Sequence, residues 1–174
     1  LAMAADYNPK DEDTVVFYQT IQNKLHFAVT GKTAAELISE RADSDKPNMG
    51  LTSWKGAKIR KGDVTVAKNY LQGPEIEGLN RIVSMFLDFA EDQAKRRKQV
   101  FLKDWRLKLD EFLKFNDRAV LGNPGHASKE QAETRALEQY SKFEGRRRQQ
   151  LESQGEEEAL RILEDISRKS PRQS

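Results

Sequence analysis

The sequence predicts an all-α protein, an irregular bundle of six or seven helices with a long polar loop and a helical C-terminal tail. Three observations predict it. Apolar residues recur at helical spacing in successive stretches, most cleanly at Leu79, Ile82, Val83, Phe86, Phe89, Ala90 and Ala94. Two capping boxes, Thr33 with Glu36 and Ser128 with Gln131, mark helix starts. Glycine and proline stand between the periodic stretches, at Gly31, at Gly73 with Pro74, and from Gly122 to Gly125. Residues 1–145 are expected to form the domain and residues 146–174 a charged tail, helical or frayed.

Taken in order, Asp6 to Asp13 is a polar connector whose acidic end suits the positive end of a helix. The first helix runs from Thr14 to about Thr30, with Phe17, Ile21, Leu25 and Ala28 on one face and Gly31 placed for a left-handed C-terminal residue. The second runs from Thr33 to about Ala42 and buries Leu37 and Ile38. So short a connection predicts a helical hairpin or corner. Asp43 to Gly62 has no helical period, and loops of that length are more often functional than idle. Within it, Leu51 to Trp54 and Ala57 to Arg60 admit a short two-stranded ribbon. Asp63 is placed to cap a short helix with Val64, Ala67 and Leu71 inward. Pro74 opens the core helix, which runs to about Lys98. Leu102, Trp105, Leu109, Phe112 and Leu113 mark a further helix to about Leu121. Ser128 opens the next, through Ala132, Ala136, Leu137, Tyr140 and Phe143, and beyond Gly145 a last apolar stripe falls at Leu160, Leu163 and Ile166.

Composition narrows the function classes. Charged residues make up 33% and the apolar set 37%, with a mean hydropathy of −0.82, so much of the chain presents solvated faces. The charge is nearly balanced, 30 Lys plus Arg against 28 Asp plus Glu, which is silent on nucleic acid. With no cysteine, thiolate nucleophiles, disulfide frameworks and cysteine-based zinc sites are excluded, and a cytoplasmic location fits. No apolar run approaches the ~20 residues that cross a bilayer, so no membrane partner is expected. The first residue is Leu1, and the chain reads as an excised part of a longer protein.

The densest polar block runs from Gln22 to Tyr70. The candidate pocket residues are Gln22, Asn23, Lys24, His26, Lys32, Glu36, Arg41, Asp43, Asn48, Trp54, Lys55, Lys68, Asn69 and Tyr70, joined by Asn80 and Arg81 from the core helix. The spacing from His26 to Gly31 echoes the signature of Fic and death-on-curing enzymes, but Lys32, Thr33 and Ala34 stand where its Asn and Arg would be needed. His26 also suits an ordinary, partly buried place on a helix face. Glu36, Glu40 and Asp43 could approach a metal, or simply pair with lysines of a facing helix. Trp54, Lys55, Lys58, Arg60, Lys61, Lys68, Asn69 and Tyr70 combine aromatic planes with cations, a pattern suited to stacking and phosphate contact, although a Trp on a glycine-flanked loop is also a common core plug. Arg81 could hold a carboxylate or phosphate with two parallel bonds, or brace the long loop. No catalytic residue, metal ligand set or cofactor is defined by these patterns.

A family resemblance rests on blocks of residues: Gln22 to Leu25; Thr30 and Gly31 with Thr33 to Glu36; Arg41 to Asp43; Pro47 to Leu51; Trp54 to Gly56; Asp63, Val64 and Ala67 to Leu71; Leu79 to Arg81; Phe89 to Asp92. Together they resemble the C-terminal region of the RhuM virulence-protein family, from about Asp6 to Phe143. The resemblance implies a protein of pathogenicity islands and mobile elements, preceded by a region similar to a helix-turn-helix DNA reader. Nucleic acid, reached through such an N-terminal region, is the partner it admits, and the polar block by itself also admits a second copy of the chain. The leading expectation is an effector or interaction module with a polar pocket for an anionic or small-molecule ligand. Its alternatives are a metal-dependent nuclease or phosphotransfer enzyme acting as a toxin, and a structural dimerisation domain.

Overall fold

The computed structural model describes residues 4–96 and 100–169, and every regular element among them is helical. The described residues form five α-helices, α1 (Glu12–Thr30), α2 (Ala34–Arg41), α3 (Gly73–Arg96), α4 (Leu102–Phe115) and α5 (Lys129–Lys169), with 3-10 turns at Pro47–Gly50 and Ala67–Tyr70. The all-α class is as expected, and the local signals explain the boundaries. Gly31 closes α1 at φ 72°, its N–H donating to the Phe27 carbonyl. Thr33 and Glu36 form the reciprocal capping box that opens α2, and Ser128 with Gln131 does the same for α5. Asp6 and Asp104 accept from the first N–H groups of α4, tying the N-terminal segment to that helix.

The expected six or seven helices become five for two physical reasons. Asp63 does not cap a following helix: its carboxylate turns back to accept from the N–H groups of Lys55 and Arg60, so the chain from 61 to 70 forms turns rather than an α-helix. Gly145 does not end a helix either. A glycine inside a helix costs only about 1 kcal/mol, and α5 continues through it to Lys169. Two smaller expectations also change. The fourth helix stops at Phe115 rather than Leu121, because Asp117 takes the left-handed conformation at φ 53° and the Arg118 N–H returns to the Leu113 carbonyl. No ribbon forms among the described residues; instead Thr52 and Ser53 donate to the Asn69 carbonyl. Lys98, where the core helix was expected to end, lies outside the described residues.

The core is centred on α1, α3 and α4. α1 packs against α3, and the core draws Phe17 and Ile21 from α1, Leu79, Ile82, Phe86 and Ala90 from α3, and Trp105, Leu109 and Leu113 from α4. Phe86 stands edge-on to Trp105 at 6.3 Å and close to Phe112 at 5.4 Å, an arrangement that adds to simple burial. α2 packs against α5 and against the 67–70 turn. The long loop is held down by Met49, Leu51, Ile59 and Val64, all buried. Asn48, Met49 and Gly50 are successive left-handed residues, and the burial of Met49 offsets that backbone cost.

Candidate functional site

A cleft of about 670 Å³ opens where α1, α2, the 65–68 segment and the start of α5 meet. Helical geometry brings Gln22, Asn23 and His26 to it from one face of α1. Ala34, Ala35, Ile38, Ala67 and Ala132 give it an apolar floor, and Gln19, Thr65, Lys68, Ser128, Lys129, Gln131 and Glu133 line it with polar groups. The Asn23 amide oxygen accepts from the Ala34 N–H at 3.1 Å, fixing α1 to the start of α2. Glu36 fixes the opposite wall: one carboxylate oxygen accepts from Thr33 N–H at 2.7 Å, the other from His126 N–H at 2.8 Å. Burial alone would raise the Glu36 pKa, but these N–H donors outweigh it and hold the carboxyl below its ordinary range. Gly125, at φ 88°, lets the loop approach so closely; a Cβ there would lie 2.7 Å from the Thr33 methyl.

His26 is the unusual group of this cleft. It is 8% exposed and its Nδ1 has no hydrogen-bond partner among the described residues. Burial pushes its pKa down and the nearby Lys68 charge pushes it further, so the imidazole is neutral at physiological pH. A neutral ring of this kind can donate or accept one hydrogen bond. An unpaired buried nitrogen is uncommon in native structures, and buried side-chain atoms of Thr14, Trp105 and Arg106, outside the cleft, are unpaired as well among the described residues. The lining charges are mixed, with Lys68 and Lys129 against Glu133, and Lys129 approaches Glu133 at 3.7 Å.

The other sequence candidates are dispersed. Lys24 points from α1 to Asp110 of α4 at 2.6 Å and also reaches the Leu121 carbonyl. Lys32 pairs with Glu40. Arg41 grips Glu75 with two 2.7 Å bonds and the Tyr70 carbonyl with a third. Tyr70 is fully buried, its hydroxyl donating to the Val64 carbonyl, and burial raises its pKa. Asp43 accepts from the Asp45 N–H, and Asn48 is an exposed turn residue. Trp54 is half-buried against the core, and Asn69 holds Asp63 and Ser53. The Lys55 side chain is exposed, as is Asn80. Arg81 faces a separate shallow groove of about 340 Å³ shared with Glu77 and Arg118. Glu36, Glu40 and Asp43 each have a different partner, and no cluster of three His, Asp or Glu side chains suited to a metal is present among the described residues.

Local sequence pattern does not show the contribution of residues 124–133 to the cleft. Gly122 to Gly125 reads as a stop and Ser128 as a cap, which locates a helix start but not the wall it builds. Only the 90-residue reach from His126 to Glu36 brings them to the site.

The fold and this cleft define an all-α module with an open cleft of mixed apolar and polar lining and a C-terminal helix exposed from Arg148 to Ile166. Residues 1–152 match the family model described as "Virulence protein RhuM family". The chain therefore belongs to the RhuM family of virulence proteins. Neither a curated protein nor a solved structure matches it.

Proposed function

We propose that this chain is the ligand-binding and interaction module of a RhuM-family protein, and that the cleft receives a small molecule carrying hydrogen-bonding groups and an anionic end. The observation that carries the reading is the cleft itself, about 670 Å³ and lined together by Gln22, Asn23, His26 and Lys68. Lys68 supplies a cation at the rim, and Gln22 an exposed amide. The test is a thermal-shift screen of nucleotides and other organic anions at low and raised salt. A ligand at a hundred times its Kd adds ~2.7 kcal/mol, roughly 5–10 °C for a chain of this size. Gln22→Ala with Lys68→Met should remove the shift, whereas Lys55→Ala with Arg81→Ala, which leaves the cleft lining intact, should keep it. A screen without any shift, or a shift indifferent to Gln22→Ala with Lys68→Met, refutes the reading.

A second reading, assembly through α5, has its own observation. From Arg148 to Ile166 every residue of α5 is exposed, among them Leu151, Leu160, Ile162, Leu163 and Ile166. An antiparallel pair overlapped about residue 152 would set Arg146, Arg147 and Arg148 of one copy beside Glu156, Glu157 and Glu158 of the other. It predicts a melting temperature that rises with protein concentration; a monomer by sedimentation at high concentration refutes it.

A further inference from the structure

We propose that the arm formed by residues 55–61 docks on the phosphate backbone of a nucleic-acid duplex, independently of any DNA-reading region that precedes this chain. From Lys46 to Gln72 the sequence carries Lys46, Lys55, Lys58, Arg60, Lys61 and Lys68 against a single acid, Asp63. Lys55, Lys58, Arg60 and Lys61 are all exposed, and none of their side-chain cations forms an ion pair among the described residues. This distinguishes them from the cations of the helices, several of which are held in ion pairs: Lys24, Arg41, Lys95 and Arg146.

The one acid of the stretch makes no ion pair with their side chains among the described residues. Asp63 is buried, and its two carboxylate oxygens accept from the backbone of Lys55 at 3.2 Å and of Arg60 at 2.8 Å. It thereby draws the two ends of the arm together. Ile59, between Lys58 and Arg60, is buried as an anchor, and the Asn69 amide donates to the Asp63 carbonyl beneath. The Arg60 guanidinium lies back over Gly56, 3.8 Å from where a Cβ would stand. Four cations are thus carried on a backbone whose conformation is already set, so little ordering cost falls on binding.

The same geometry selects phosphates over bases. Single-strand recognition relies on exposed aromatic planes, and this arm does not offer them: Tyr70 is fully buried with its hydroxyl used, and Trp54 is half-buried against the core. Point cations without stacking partners suit the dense, sequence-independent charge of a duplex.

The experiment is binding of a 20-base-pair DNA duplex by fluorescence anisotropy across salt. Four phosphate contacts predict a slope of about −3.6 in log K against log salt, or roughly 150-fold weaker binding at 200 mM than at 50 mM. Lys55→Gln, Lys58→Gln, Arg60→Gln and Lys61→Gln together should abolish the slope, with unchanged helicity by circular dichroism. Lys58→Gln and Lys61→Gln as single variants should each reduce it by about 0.9, which keeps the test decisive if the quadruple variant fails to fold. An RNA duplex is expected to bind comparably, since both present phosphates. The proposal is overturned by absence of binding at 50 mM salt, by a slope that survives the single and quadruple changes, or by a single strand or a polyglutamate peptide binding as tightly as the duplex.

Discussion

Replacing Arg41 separates a brace from a ligand-binding group. Arg41 donates to both Glu75 oxygens and to the Tyr70 carbonyl, all at 2.7 Å, and the two side chains are 20% and 21% exposed. A shielded charge-assisted bond contributes about 1.5–3 kcal/mol, and residual water contact moves each bond toward the lower figure. A double-mutant cycle of Arg41→Met and Glu75→Gln should therefore give a coupling of about 2 kcal/mol. Arg41→Met alone also strands the Tyr70 carbonyl and leaves a shielded carboxylate, for a loss of about 3 kcal/mol. At this chain length that lowers the melting temperature by roughly 6–12 °C. The bonds from Arg41 hold the Glu75 carboxyl below its ordinary range, burial opposing them only in part. A depressed folded-state pKa means that the stabilisation is present above the unfolded pKa and is lost as pH falls through the folded one. Urea denaturation at pH 7 and in acid measures both effects. A coupling below about 0.5 kcal/mol at pH 7, or one that persists once Glu75 is protonated, would refute the reasoning and return Arg41 to the list of ligand-binding candidates.

His26 carries a pH prediction of its own. Burial, and secondarily Lys68, depresses its pKa, so on acidification the unfolded chain binds the proton first. Stability should fall as pH drops from the ordinary imidazole range toward the folded value; His26→Gln should flatten that limb in urea titrations, and Lys68→Met should raise the pKa seen by NMR. Gly50→Ala should destabilise by at least about 2 kcal/mol, since φ is 81° and the new Cβ would stand 2.3 Å from the Arg41 carbonyl oxygen; a near-neutral change by thermal melting would show that this turn relaxes. Trp105→Ala, at 1% exposure in the middle of the aromatic cluster, should cost about 3–5 kcal/mol by chemical denaturation.

The sequence by itself determined the all-α class, the start of α2 and α5, the end of α1 and the apolar face of α3, because caps and helical periodicity act within a few residues of themselves. It also pointed to Gln22, Asn23, His26 and Lys68, which the structure does bring to one cleft. Only the tertiary structure decided what the remaining polar residues touch. Arg41 meets Glu75 34 residues away, Lys24 meets Asp110 86 residues away, and His126 meets Glu36 across 90. Nothing in local spacing encodes such pairs, since they depend on how helices of similar amphipathic pattern are stacked. The fate of Asp63 has the same cause. A forward helix cap and a backward latch need the same residue, and the buried positions of Ile59, Val64 and Tyr70 around it select the latch.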